Sequence, residues 1–276
     1  MTDRFVVIGA GTMGTGIAYA AATAGYRVEL IEVDPAQRAA AQAELDRLWT
    51  GAVARDRLSE TEAADARTRV GFSDQVPDGA EVVVEAVPER LELKRDVLTH
   101  AAAARPGLLA SNTSSIPISA LGEGVIGLHF FNPVWAMPLV EIVVGASTPP
   151  DAVAAARTVA SRLGKECIVV RDRPGFATSR LGVALGLEAI RMLEDGVAEA
   201  ADIDKAMVLG YRHPVGPLEL TDLVGLDVRL DIARSLEAAY GSRFTPPALL
   251  VEMVDAGRLG RKTGAGFYRW DNGVRW

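Results

Sequence analysis

A Rossmann-like, doubly wound α/β sheet with a separate all-helical C-terminal domain is the fold this sequence predicts, and three observations carry the prediction. The stretch RFVVIGAGTMGTGIAYAAATAGYRVELIEVD, residues 4–34, reads as a buried strand, a glycine-rich turn, a helix and a second strand. Short apolar strands then alternate with helices as far as Asp172, the pattern of a mostly parallel sheet covered on both faces. Past Pro174-Gly175 the apolar runs have helical spacing only. The expected boundary divides residues 1–173 from 174–276, two domains of ordinary size in a chain of 276 residues.

The first strand spans Phe5 to Ile8, the helix about Thr12 to Ala24, and the second strand Arg27 to Glu32. Gly9, Gly11 and Gly14 have the G-x-G-x-x-G spacing between strand and helix. Gly9 permits the tight turn, Gly11 lets a pyrophosphate approach the backbone, and Gly14 lets the helix pack on the strand. The helix opening at Thr12 and Met13 offers unpaired N–H groups and the positive end of a dipole to phosphate. Two acids compete for the ribose: Glu32 lies 18 positions after Gly14, and Asp34 lies 20 after it. Asp34 precedes Pro35 and suits a helix cap, which assigns the ribose hydroxyls to Glu32. An acid here accepts from a 2′-OH and repels a 2′-phosphate, so the expected cofactor is NAD rather than NADP.

Two polar helical stretches follow as an insertion at about 35–69, carrying Arg38, Arg47, Arg55, Arg57, Arg67 and Arg69; a solvated face explains most of these. AEVVVEAVPE (80–89) is a strand ending near Glu85 and Glu89, and RLELKRDVLTHAAAA continues as a helix. GLLASNTSSIPIS runs from a short strand into a polar loop, before the strand VIGLHF. LVEIVVG, a helix in PPDAVAAARTVASRLG and the strand KECIVVRD complete the first domain. In the second, ATSRLGVALGLEAIRMLEDG is a helix, EAADIDKAMVLG a capped helix stopped by Gly210, and further helices lie within 216–241 and 246–260. Residues 181–193 are apolar enough all round to predict that a second subunit covers them.

Net charge −7 and a pI near 5.1 argue against a nucleic-acid partner. A single cysteine, Cys167, excludes an internal disulfide and a Cys-rich metal site, so no metal is expected. MTDRFVVIGAG enters a strand almost at once, which leaves no room for a signal peptide, and no apolar run is long enough to span a bilayer. The expected location is cytoplasmic.

GLHFFNPVWAMPLVEIV, residues 127–143, places His129 among core-like residues and Glu141 twelve positions on, inside an apolar run. A core histidine bonded to backbone would explain the first but not the second, because a carboxylate is costly to bury unpaired. Two strand-like segments joined by a turn at Asn132-Pro133 could bring the two side chains face to face. A histidine backed by a carboxylate is suited to moving a proton near neutral pH.

The segments GAGTMGTGIA, VEAVPE, ASNTSS, GLHFFNPVWAMPLVEIV, RPGF, HPVGPLELTDLVGLD and GRKTGAGFY resemble, in order and across the whole chain, those of the L-3-hydroxyacyl-CoA dehydrogenase family, bacterial 3-hydroxybutyryl-CoA dehydrogenase type. The resemblance implies a reversible NAD-dependent oxidation of a short-chain L-3-hydroxyacyl-CoA to a 3-oxoacyl-CoA, with His129 as acid/base oriented by Glu141. It implies that Ser114 bonds the reacting oxygen of the substrate and that Asn112 and Asn132 support the site. Glu89, Lys94 and Asn112 match positions at the cofactor, and Lys262 matches a lysine reaching NAD from the C-terminal domain. Coenzyme A phosphates would meet basic residues of the insertion, among Arg47, Arg55 and Arg57. His100 and His213 are read as structural. The chain departs from the pattern at Ser179, where the family has a substrate-side Asn. The expected assembly, from the apolar stretch 181–193, is a homodimer formed through the C-terminal domain. The alternatives are a related dehydrogenase of a free hydroxy acid, a 3-hydroxyadipyl-CoA dehydrogenase of aromatic degradation, and a non-catalytic NAD-binding protein, against which the His129–Glu141 pair counts.

Overall fold

The computed structural model describes residues 3–276, which fall into two compact units divided between Arg173 and Pro174. The first unit runs β1 (Arg4–Ile8), α1 (Thr12–Thr23), β2 (Arg27–Ile31), α2 (Pro35–Val53), α3 (Glu60–Thr68), β3 (Val70–Ser73), β4 (Val82–Glu85), α4 (Leu91–Ala103) and β5 (Leu108–Ser111). It continues with β6 (Val125–Phe130), β7 (Leu139–Val144), α5 (Ala152–Arg162) and β8 (Glu166–Arg171). The strands form one sheet in the order β3-β2-β1-β4-β5-β6-β7-β8, parallel except between β6 and β7. Phe5, Val6 and Val7 are all fully buried. That unbroken run reflects a sheet with helices on both faces, where alternation has no solvent side to report.

The insertion forms as the sequence predicts, for local reasons. Asp34 caps α2 by accepting from the Ala36 N–H at 2.9 Å, and Pro35 takes the first helical position, where a missing N–H costs nothing. Ser59 and Glu62 make a reciprocal capping box at the start of α3. Trp49 and Leu45 of α2 are wholly buried in the core that Ile17 and Tyr19 of α1 also enter, so the insertion is packed onto the sheet domain.

The second unit contains α6 (Thr178–Glu194), α7 (Ala200–Lys205), α8 (Pro217–Val224), α9 (Leu226–Tyr240) and α10 (Ala248–Asp255) around a core that includes Leu187, Leu218, Leu226 and Leu250. It differs from the sequence reading in three details. A small hairpin, β9 (Trp270–Asp271) with β10 (Val274–Arg275), adds to the helices near the C-terminal end. The expected cap of α7 is missing: Glu199 makes no side-chain cap bond, and the helix widens into a π turn over Ala206–Gly210. Helix α6 buries Val183, Gly186, Leu187, Ala189 and Ile190 on one side and exposes Leu181, Ala184 and Glu188 on the other. Its apolarity is therefore met largely within the unit and does not by itself require a second subunit. No described helix is long and apolar enough to cross a membrane.

Two buried acids organise this unit. Asp204 accepts from the Leu218 and Glu219 N–H groups, both at 2.8 Å, supplying α8 with partners its first turn lacks. Asp222 accepts from Phe267 N, Tyr268 N and Trp270 Nε1 at 2.9, 3.0 and 2.8 Å, which ties down the segment following Lys262.

Candidate active site

The first unit's candidate residues stand at the C-terminal ends of neighbouring strands, where ligands bind in open α/β sheets. In sheet order these are Glu32 after β2, Gly9 to Gly14 after β1, Glu85 and Glu89 at and after β4, Ser111 to Ser115 from the end of β5, and His129 near the end of β6.

Each glycine of the first turn has its own reason. Gly9 sits at φ +100°, and a Cβ there would lie 2.9 Å from the Ala86 carbonyl oxygen. A Cβ on Gly14 would lie 1.8 Å from the Gly9 carbonyl oxygen. A Cβ on Gly11 would meet nothing within 4 Å, so that face of the backbone is open. A turn closed on two sides and open on the third, leading into Thr12 and Met13 of α1, fits a dinucleotide pyrophosphate. Glu32 lies one residue past β2, and its carboxylate turns back to accept from Ala10 N at 3.1 Å, Val33 N at 2.9 Å and Asp34 N at 3.1 Å. About four acceptor positions exist on a carboxylate, so one remains for a ribose hydroxyl.

The β4–β5 edge holds a polar cluster that sequence reasoning only partly anticipated. Lys94, expected at the cofactor, is 1% exposed; its ammonium donates to Glu85 Oε1 at 2.8 Å and to the Val87 carbonyl at 3.1 Å, and lies 3.2 Å from Glu89 Oε2. Those three acceptors match its three protons. Glu85 is fully buried and also accepts from Ser111 Oγ at 2.6 Å. Glu89 Oε1 takes the Thr113 hydroxyl at 2.6 Å, the Ser114 and Ser115 N–H groups at 3.1 and 3.0 Å, and the Ser115 hydroxyl at 2.8 Å. Burial works to raise the pKa of Glu89, but the charge of Lys94 and these hydrogen bonds prevail and hold it below the usual carboxylate value. Glu85, Ser111 and Thr113 were missed. The signal was available for Glu85: a lone carboxylate in the apolar run VVVE, the same anomaly that marked Glu141.

His129 and Glu141 are directly opposed in the antiparallel β6–β7 ladder, which puts both side chains on one face. His129 Nδ1 lies 2.7 Å from Glu141 Oε2; the histidine is 6% exposed and the carboxylate fully buried. Asn112, at the end of β5, accepts from the Phe130 N–H at 2.9 Å and so grips the residue next to His129. Asn132 is exposed in the turn beyond β6, a turn held by Lys165, whose ammonium donates to the Val134 and Met137 carbonyls at 2.7 and 2.8 Å.

Of the insertion's arginines, Arg47 is engaged by Glu44 at 2.6 Å, whereas Arg55 and Arg57 line a cavity of about 330 Å³ together with Tyr19, Leu48 and Trp135. In the second unit, Lys262 donates to Asp227 at 2.6 Å. Ser179 is half-buried in the first turn of α6, with no side-chain hydrogen bond among the described residues. The described residues contain no cluster able to hold a metal ion.

A dinucleotide turn on the same sheet edge as a buried histidine–carboxylate pair defines a nicotinamide-dependent dehydrogenase. Comparison with known proteins makes the class particular. Residues 4–173 match the family model described as 3-hydroxyacyl-CoA dehydrogenase, NAD binding domain, and residues 175–270 match that of its C-terminal domain. The chain is 38% identical over 283 aligned residues to a probable 3-hydroxybutyryl-CoA dehydrogenase of Bacillus subtilis, covering 97% of each. The crystal structure of Mycobacterium tuberculosis FadB2 superposes with a TM-score of 0.93 at 38% identity, covering 98% of this chain and 99% of that one. That of (S)-3-hydroxybutyryl-CoA dehydrogenase PaaH1 from Ralstonia eutropha gives 0.93 at 35% identity, covering 99% and 100%. The chain belongs to the 3-hydroxyacyl-CoA dehydrogenase family, NAD-dependent oxidoreductases.

Proposed function

We propose that the protein catalyses the reversible, NAD-dependent oxidation of a short-chain L-3-hydroxyacyl-CoA, 3-hydroxybutyryl-CoA foremost, to the 3-oxoacyl-CoA. The observation that carries this reading is the buried His129–Glu141 pair at 2.7 Å. NAD, when bound, supplies the hydride acceptor. His129 takes the hydroxyl proton in the oxidative direction and returns it in the reductive one. Its Nδ1 faces Glu141, so Nε2 exchanges that proton, and the carboxylate both fixes the tautomer and stabilises the imidazolium. Ser114 donates to the reacting oxygen, with Asn132 beside it, and Asn112 keeps β5 in register with the histidine's strand. Gly9, Gly11, Thr12, Met13 and Gly14 hold the pyrophosphate, Glu32 the ribose, and Glu89 and Lys262 complete the cofactor's surroundings.

Coenzyme A is supported by the names of the relatives and by the cavity under the insertion, where three arginines, Lys165 and two aromatic rings suit a phosphorylated nucleoside. In this reading residues 1–173 bind NAD and residues 174–276, with Ser179, complete the substrate side and form a homodimer. The working compartment is the cytoplasm, which holds the NAD and acyl-CoA pools. Consumption of NADH, followed by its absorbance, is expected with acetoacetyl-CoA and not with free acetoacetate. Equal rates on both would replace this reading with that of a free hydroxy-acid dehydrogenase.

A further inference from the structure

We infer that Arg229, with Gly182 and Ser179 of α6, reads a carboxylate at the far end of the acyl chain. The substrate range then includes 3-hydroxyacyl thioesters whose chain ends in an anion. The inference rests on the proposed reaction and on the reading of Ser179 as a substrate-side residue. Arg229 stands in α9 and is 7% exposed, yet no described residue gives it a hydrogen bond or an ion pair. Its Nε is enclosed without an acceptor, whereas Nη1 and Nη2, equally unpartnered, are not enclosed. The head of the guanidinium is thus the part open to an incoming acceptor. Burial alone acts on its pKa and pushes it down to about 10, which leaves it a cation at neutral pH with no anion in reach.

That head lies on α6. A Cβ at Gly182 would stand 3.0 Å from Nη1 and 3.7 Å from Nη2, so the guanidinium occupies room that a side chain would have taken. Ser179 is one turn earlier on the same face of the helix, half-buried and with no described side-chain hydrogen bond. The helix contact does not need the charge: one turn beyond Gly182, Gly186 meets the Thr221 hydroxyl of α8 directly. A buried cation without an anion costs the fold stability, and methionine would fill the same room. A ligand that brings the anion removes that cost and accounts for the residue. In the proposed reaction Ser114 and His129 take the reacting oxygen and the insertion takes the coenzyme A phosphates. What remains for the second unit is the acyl chain. A terminal carboxylate there offers two coplanar acceptors to a planar guanidinium, and the Ser179 hydroxyl donates to the same group. The chemistry at C3 is unchanged; the carboxylate is read and not transformed.

The test compares 3-oxoadipyl-CoA with 3-oxohexanoyl-CoA, thioesters of equal chain length that differ only in a carboxylate or a methyl group at the far end. Consumption of NADH by the full-length parent should give a kcat/KM roughly 10- to 100-fold higher for the first, the worth of a hydrogen bond to a charged group. Arg229→Met, which keeps the volume and removes the charge, should bring the ratio to within about threefold. Arg229→Lys should keep part of the preference, because a point charge lacks the guanidinium fork. Should Arg229→Met not fold, Arg229→Gln takes its place with the same expected collapse. A second readout is independent of turnover: at equal concentration 3-oxoadipyl-CoA should raise the melting temperature of the parent more than 3-oxohexanoyl-CoA does, and the difference should vanish in Arg229→Met. A parent that turns over both thioesters with the same kcat/KM, or a preference that survives the loss of the arginine, would overturn the inference and leave the proposed reaction standing. Turnover of free acetoacetate with none of any CoA thioester would sink that reaction instead. The melting temperatures then decide the inference alone, and equal shifts by the two thioesters overturn it.

Discussion

In the proposed mechanism His129 becomes a cation inside a sheet, and that fixes what its neighbours have to be. Removing the partner of a buried charge leaves the other uncompensated, so Glu141 and His129 are useful only together. His129→Gln and Glu141→Gln are each expected to lower turnover by roughly 10²–10⁴-fold, the usual worth of a general base. NADH affinity, measured by fluorescence titration, should stay near the parent value in both, and near-normal turnover by His129→Gln would sink the mechanism. At Glu32 the deciding effect is also charge. Three backbone amides already fix this carboxylate, and a 2′-phosphate would be set against its remaining edge. NADH should exceed NADPH in kcat/KM, and Glu32→Ser should narrow the gap while weakening both, because the Ala10 amide loses its acceptor.

Elements hold these residues by tethers whose strength depends on protonation. Because the Glu89 carboxyl is held below its usual value, its contribution is fully present above the unfolded-state pKa, about 4.3, and is lost as pH falls through the lower folded value. The difference in unfolding free energy between the parent and Glu89→Gln should therefore be constant from pH 7 to 5 and shrink below about pH 4. A difference that grew on acidification would reverse the assigned sign. Helix α9 carries the opposite case. Arg229 is 7% exposed, its Nε has no acceptor, no described carboxylate pairs with it, and burial pushes its pKa down to about 10. A base so shifted costs stability at every pH below that value, on the order of 3 kcal/mol before any relaxation. Arg229→Met should raise the melting temperature by a few degrees, and a loss of several degrees would mean the guanidinium is paired.

At the scale of the molecule, the second unit leaves several large apolar side chains in water. Leu181 is 71% exposed, Leu209 69% and Tyr211 75%, in a unit that otherwise buries a complete core. Exposed apolar side chains mark an association surface where they lie together, which for these three a mass measurement tests. Light scattering coupled to size exclusion should give about twice the 29.2 kDa chain mass, and Leu181→Glu should shift it toward the monomer. A parent that runs as a monomer at micromolar concentration would remove the homodimer from the proposed function.

Much of this was legible before any coordinates, and the division has a physical basis. The glycine turn and the Asp34 cap are dictated by contacts within a few residues, and local chemistry writes those into the sequence directly. The pairing of His129 with Glu141 was also readable, because a carboxylate in an apolar run states a problem that a facing histidine solves. The burial of Lys94 was not legible, since a lysine on a polar helix looks the same whether it meets water or a buried Glu85 from a strand. Helix α6 is one-sided rather than apolar all round, because composition records how apolar a helix is and not which neighbours cover each face. The sequence by itself determined the elements and the carboxylates that needed partners. Only the tertiary structure decided which partner each charge found, because the cost of burying a charge is set by atoms far apart in the chain.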